Sequence, residues 1–182
     1  HAQGFCGLSD KLLKVLKEKS IILIEDVCES HGASFKDKKL GTYGLMSNFS
    51  FYYAHHMTTI EGGMVCTNDE NVYQMLKMYR GHGMVRESTN DNLIKKYAYE
   101  NPSLNPKFIF AYPAYNLRNN EIGAIIGLNQ LKRLNTNIKK RNINFENFLG
   151  KINKFKFFNE FDLKGSSNYA FNLIMRDKDE SY

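Results

Sequence analysis

Any catalytic chemistry in this chain falls to four short segments. The first is Glu25-Asp26-Val27-Cys28-Glu29-Ser30-His31-Gly32-Ala33. A carboxylate there can hold a cationic heterocycle nitrogen through a charge-assisted hydrogen bond. The second, Ser50-Phe51-Tyr52-Tyr53-Ala54-His55-His56-Met57-Thr58-Thr59-Ile60-Glu61-Gly62-Gly63, offers hydroxyls for a phosphate, adjacent histidines for proton transfer, and glycines that admit close backbone approach. The third, Arg80-Gly81-His82-Gly83-Met84-Val85-Arg86-Glu87, sets arginines and a histidine among glycines, a pattern able to grip an anion. The fourth is Tyr115-Asn116-Leu117-Arg118, where Asn116 and the amides opening a helix can bind an anion. Each segment also has a plainer reading: charges that cap a helix, a packed or solvent-facing histidine pair, a flexible surface turn, an ordinary asparagine cap. Metal binding by His55 and His56 would need a further ligand, for which His31 and His82 are the candidates.

The elements that must position these residues read as α/β. Ser9 or Asp10 caps a helix with apolar positions at Leu12, Leu13, Val15 and Leu16. The continuous run Ile21-Ile22-Leu23-Ile24 predicts a strand buried on both faces, as in a parallel sheet covered by helices. Glu25-Asp26 then sits at its C-terminal edge, where open α/β sheets place ligands. A small hairpin is expected between Lys36 and Gly44, and strands over Asn48 to Tyr53 and Met64 to Thr67. Asn68 or Asp69 caps a helix carrying Val72, Met75, Leu76 and Tyr79, which stops at Gly81. Residues 84–114 show no clear periodicity, and a connection of that length is expected to be functional or at an interface. From Asn120 a long helix runs to about Leu149, with Gly123, Ala124 and Gly127 permitting close packing on one side. Lys154 to Phe158 and Tyr169 to Met175 read as strands of a new unit, and the chain closes on the charged segment Arg176 to Tyr182.

Bulk properties narrow the class. At 21.1 kDa, a compact fold exposes roughly 9,000 Å² and buries enough for a real core. The net charge of +6 is spread along the chain, so it carries little weight for anionic partners. No nucleic-acid-binding signature is present, and neither nucleic acid nor membrane is an expected partner. Cys6, Cys28 and Cys66 are odd in number and far apart, which fits a reducing, cytoplasmic compartment rather than a disulfide scaffold. No apolar run reaches membrane-spanning length. Dinucleotide, phosphate-loop and HExxH metalloprotease fingerprints are all missing. The first residue is His rather than Met, and the chain reads as the middle of a longer protein.

In this order, the four segments resemble the DegT/DnrJ/EryC1/StrS family of pyridoxal-phosphate enzymes, over about residues 1–135. The resemblance implies a fold-type I architecture, the three-layer α/β sandwich of the aspartate aminotransferase kind, present here as a fragment. Residues 1–135 would belong to the large cofactor-binding domain, and 136–182 to a linking helix and the start of a smaller α+β domain. By position in the family motifs, Asp26 pairs with the pyridine nitrogen and Glu29 lies near the ring oxygen. Ser50 binds the phosphate, and Asn116 reaches into the cofactor site of a partner subunit, which implies a homodimer with shared active sites. His82 and Arg86 are candidates for the substrate side.

One departure governs the reading. Where the family's S-F-x-x-x-K motif places the lysine that links covalently to the cofactor, this chain has His55. That resembles the small 3-dehydratase branch, which acts on nucleotide-activated 4-keto-6-deoxy sugars in dideoxysugar and O-antigen (lipopolysaccharide) biosynthesis. The cysteine cluster of its iron–sulfur-containing CDP-sugar members is not evident, which favours GDP-4-keto-6-deoxy-D-mannose as substrate. The resemblance implies pyridoxal 5′-phosphate and its pyridoxamine form as cofactor, L-glutamate as amino donor, His55 as base and acid, no metal, and release of ammonia. A sugar aminotransferase and a cofactor-binding homologue without turnover are the alternatives.

Overall fold

The computed structural model describes residues 1–177. Its elements run α1 (Asp10–Glu18), β1 (Ile24–Asp26), β2 (Ser34–Phe35), β3 (Lys38–Lys39), β4 (Met46–Ser50), β5 (Gly63–Thr67), α2 (Glu70–Arg80), α3 (Asp91–Glu100), α4 (Glu121–Lys151), β6 (Phe157–Phe158) and β7 (Ile174–Met175), with short 3-10 turns between them. They fall into two compact units. One is His1–Met64 together with the chain from Ile122 onward; the other is Val65–Glu121. The expected division near residue 135 lies inside α4. Beyond residue 177 the charged terminal segment lies outside the described residues.

In the first unit, Ser9 caps α1 by accepting a hydrogen bond from the Leu12 amide at 3.1 Å. β1 pairs in parallel with β4, and the register sets Asp26 beside Asn48. Parallel strands end on the same edge, so β1 and β4 deliver Asp26 and Ser50 toward one end of the sheet. β2 and β3 form a hairpin, but its first strand, Ser34–Phe35, precedes the Lys36 to Gly44 stretch in which the hairpin is expected. Leu8, Val27, Ala33 and Leu40 make the core beneath. α4 adds Phe145, fully buried, whose ring meets those of Phe5, Phe161 and Phe171. β6 and β7 pair antiparallel, each shorter than the pattern suggested.

The second unit is helical. Asp69 caps α2, which ends at Gly81 as its sequence predicts. Met78, Val85 and Ile109 form its centre, packed by Leu93, Ile94 and Tyr97. Residues 84–114 are not structureless: Asn90 caps α3 by accepting from the Leu93 amide, and 3-10 turns cover Val85–Glu87 and Pro106–Phe108. The helix is short and its polar lysines and tyrosines blur the apolar rhythm.

Two expectations about burial need correcting. β1 holds only Ile24 of the isoleucine run, and Ile21, Ile22 and Ile24 are 53%, 67% and 53% exposed. Among the described residues no layer covers that side of the run. The chain also exposes 12,649 Å², against the roughly 9,000 Å² of a compact fold of this mass.

Candidate functional site

Strand alternation separates the paired carboxylates. Glu25 turns inward and is 2% exposed. Its oxygens accept the amides of Gly41, Tyr43 and Gly44 at 2.7, 2.6 and 2.8 Å, and the His1 ring lies 3.2 Å away. Glu25 therefore holds the turn before β4. Asp26 faces the opposite way, toward solvent, with Oδ1 accepting from the Cys28 amide at 3.0 Å and from Asn48 Nδ2 at 3.1 Å. The Cys28 amide is the main cause that holds its pKa below the ordinary carboxylate value. Asp26 is thus an anion at the strand end. The adjacent Cys28 thiol is pushed up to about 11, first by burial and then by Asp26, and stays protonated.

From Asp26 the chain turns through Glu29, His31 and Gly32. Glu29 Oε2 accepts from the backbone amide of Gln3 at 2.8 Å and from its side chain at 3.2 Å. Gly32 has φ +78°, which favours glycine, and a Cβ there would come within 2.3 Å of the mobile Ile138 Cδ1 on α4. The same turn inserts His31, 2% exposed, among Phe49, Phe51, His55 and His56. Neither of its ring nitrogens has a hydrogen-bond partner among the described residues. Burial, followed by the fields of His56 and His55, pulls its pKa down to about 4, so His31 is neutral.

Ser50 closes β4, its hydroxyl accepting from the Tyr52 amide at 3.3 Å. Beyond it the backbone doubles back, with Phe51 donating to Gly62 at 2.8 Å and accepting from Thr59 at 2.9 Å. This loop splits the histidine pair. His56 is buried and its Nε2 donates to the Ser167 carbonyl at 3.0 Å, which fixes the neutral tautomer with Nδ1 bare. His55 is half-buried, its ring bordered by Tyr52, His31 and Tyr169 at 5.8, 6.4 and 5.6 Å. Its Nδ1 is buried without a partner among the described residues. Through His31 and His55 the first and second segments meet in one place.

Sequence reasoning passed over three members of this neighbourhood. Asn48 was an anonymous strand residue until the β1–β4 register set it against Asp26. His31 was weighed only as a metal ligand; no group of His, Cys, Asp or Glu able to hold a metal ion occurs among the described residues. Tyr169, held by Arg141 Nη1 donating to its carbonyl at 2.8 Å, lies in Ser166-Ser167-Asn168-Tyr169, which has no motif to announce it.

The third and fourth segments come together in the second unit. Gly81 bridges Asn116, the His82 amide donates to the Tyr115 carbonyl, and the Leu117 amide to that of Arg80. His82 is exposed with φ 63°, a left-handed conformation unusual outside glycine. The Arg86 guanidinium lies 5.1 Å over the Phe108 ring. Asn116 is exposed and its Oδ1 accepts from Arg118 Nε at 3.1 Å. Asp26, Glu29, Ser50 and His55 thus belong to one unit, and His82, Arg86 and Asn116 to the other.

The profile of the DegT/DnrJ/EryC1/StrS aminotransferase family matches residues 1–180. Among curated proteins, the GDP-4-keto-6-deoxy-D-mannose 3-dehydratase of Escherichia coli O55:H7 is 37% identical over 168 residues, covering 92% of this chain and 43% of that protein. The Yersinia pseudotuberculosis protein of the same name is 36% identical over 169 residues, with the same coverage of 92% and 43%. A solved structure of the E. coli enzyme with bound hydrated PLP superimposes with a TM-score of 0.80 at 34% identity, over 98% of this chain and 46% of that one. A crystal structure of GDP-4-keto-6-deoxymannose-3-dehydratase with a trapped PLP-glutamate geminal diamine gives a TM-score of 0.79 at 34% identity, over 97% of this chain and 46% of that one. These likenesses carry the fold-type I α/β architecture. The chain spans less than half the length of the relatives it matches.

Proposed function

The chain belongs to the DegT/DnrJ/EryC1/StrS aminotransferase family, and from that premise we propose that it forms part of a pyridoxal-phosphate-dependent 3-dehydratase. Its substrate is a nucleotide-activated 4-keto-6-deoxy sugar, GDP-4-keto-6-deoxy-D-mannose, with L-glutamate as amino donor. The observation that carries this reading is His55 at the position of the cofactor lysine, held half-buried against His31, Tyr52 and Tyr169. Both relatives quoted above carry the dehydratase name.

The residues present fit the cofactor. A carboxylate kept ionised by the Cys28 amide suits a protonated pyridine nitrogen, and a bare, buried His55 Nδ1 suits a nearby proton. When bound, the cofactor supplies an amine for the sugar's C4 ketone and an electron sink that lets the C3 hydroxyl depart. Asp26 holds the proton on the ring nitrogen. Ser50, at the end of β4, binds the phosphate, and Glu29, whose carboxylate accepts from Gln3, is assigned to the cofactor ring oxygen by its motif position. His55 takes up a proton and returns it to the departing hydroxyl, transfers that an imidazole performs near neutral pH. Unlike lysine, it forms no covalent link to the cofactor, so the elimination route stays open. Buried, neutral His31 and His56 pack beside it without adding charge.

His82 and Arg86 serve the anionic substrate, and Asn116 of one subunit completes the cofactor site of a second copy, giving a homodimer. Residues 1–135 are then part of the large domain, and the following segment is the link to a smaller one. No helix among the described residues is long and apolar enough to cross a membrane. We read the protein as cytoplasmic, a reading that its free cysteines support.

The test is product analysis by mass on the intact protein with GDP-4-keto-6-deoxymannose and glutamate. The expected product is a 3-deoxy ketone one oxygen lighter, formed with equal amounts of ammonia and 2-oxoglutarate. A product retaining an amino group at C4 identifies an aminotransferase, and bound cofactor without turnover a non-catalytic homologue. Replacing His55 with Asn is expected to lower kcat about 100- to 10,000-fold while cofactor affinity persists.

A further inference from the structure

Asn116 has an amide whose two ends do different work, one accepting hydrogen bonds and the other donating them. Its backbone is clamped: Gly81 bridges it, and bonds at 2.9 and 2.8 Å on either side tie Tyr115 to His82 and Leu117 to Arg80. That clamp leaves its side chain free to turn. Arg118 removes the freedom, because a guanidinium can only donate; Nε at 3.1 Å binds Oδ1 and leaves Nδ2 as the outward group. Arg118 is itself half-exposed and long. What holds it is Glu87, whose Oε1 lies 2.6 Å from Arg118 Nη2 with a side chain only 19% exposed. Glu87 Oε1 also lies 4.0 Å from Arg86 Nε, between the two arginines.

Gly81 makes room for this arrangement. A Cβ on it would come within 2.7 Å of Glu87 Cγ and 2.9 Å of Cδ. The residue that bridges the backbone of Asn116 is therefore also the one that lets Glu87 reach Arg118.

We propose that Glu87 is a positioning residue: through Arg118 it orients the Asn116 amide so that Nδ2 is offered to an anionic group, the phosphate of the cofactor. This rests on the reading of Asn116 as a cofactor-site residue of the dimer. An exposed ion pair contributes little to folding stability, so the yield of the Glu87–Arg118 contact is orientation. Glu87 also offsets the charge of Arg118, which would otherwise compete with Asn116 for the phosphate.

The experiment is a double-variant cycle on cofactor affinity, measured by fluorescence titration of the intact apo-protein with pyridoxal phosphate. Asn116→Ala and Glu87→Gln are each expected to weaken binding about 10-fold, the scale of one charge-assisted hydrogen bond. Their combination should be no weaker than Asn116→Ala alone. Gly81→Ala, which displaces Glu87 without altering a charge, should reproduce the loss and provides a second route should Glu87→Gln fold poorly. If the losses from Glu87→Gln and Asn116→Ala simply add, Glu87 acts independently and the positioning role is overturned while Asn116 keeps its place in the site. If Asn116→Ala leaves affinity unchanged, the reading of Asn116 fails and the inference falls with it.

Discussion

Three histidines, with the His31 ring in contact with those of both His55 and His56, illustrate how environment assigns roles to identical side chains. His56 gives its proton to the Ser167 carbonyl and is a packing residue. His31 is buried with both nitrogens bare, and His55 alone keeps access to the surface. Burial holds His31 down to about 4 against its ordinary 6.5, and lowers His56 as well. Between those two values the unfolded chain binds the His31 proton and the folded chain does not, so stability rises with pH. It is fully present above about 6.5 and is lost progressively as the pH falls toward 4; for a shift of this size the amount is on the order of 3 kcal/mol. The lowered pKa of Asp26 acts in the same sense, at the still lower pH where that carboxylate takes its proton. Urea unfolding of the intact protein from pH 7 to pH 4.5 should show this slope, and His31→Phe should flatten it. An unchanged slope in the variant would mean that other groups titrate.

At the scale of elements, backbone conformation and close approach decide what a substitution does. In Gly32→Ala the residue is held in the left-handed region at φ +78°, and Ile138 Cδ1, the mobile end of its side chain, must shift to admit the Cβ. A loss of about 1–2 kcal/mol is expected, chiefly from the backbone. Gly150 is the counter-case: it lies in α4, and a Cβ there meets nothing within 4 Å. Gly150→Ala should add about 0.5–1 kcal/mol through helix propensity alone. Thermal melts of the two variants, moving in opposite directions from the parent, check both. Elements with local start and stop signals follow their sequence closely, as with the Ser9 cap of α1, the Asp69 cap of α2 and the Gly81 that ends it. α3 was missed because ten residues with scattered lysines and tyrosines give a weak apolar rhythm, although Asn90 was there to cap it.

Over the whole molecule many large apolar side chains are exposed. Ile122, Ile125, Leu128 and Leu131 recur every three residues along α4, each more than half exposed, and Ile21, Ile22 and Ile24 are exposed as well. Exposed apolar surface of this kind marks an interaction face or an aggregation risk. The 182-residue chain prepared alone should therefore bind a hydrophobic dye, and Ile125→Lys with Leu128→Lys should reduce that binding without lowering helix content by circular dichroism. By itself the sequence narrowed the caps to Ser9 or Asp10 and Asn68 or Asp69, put Asp26 at the end of a parallel strand, and set the order of segments that resembles the family. Those signals are local: each depends on residues a few positions apart. Tertiary structure alone decided which histidine faces the site, because that turns on Ser167, 111 residues from His56. It likewise set Asn48 against Asp26 through sheet register, brought Tyr169 to His55, and linked Glu87 to Arg118 across 31 residues. It also left the isoleucine run exposed, since an apolar stretch shows that it needs a cover and not what supplies one. Contacts between distant segments depend on how the whole chain packs, and no spacing within one segment encodes them.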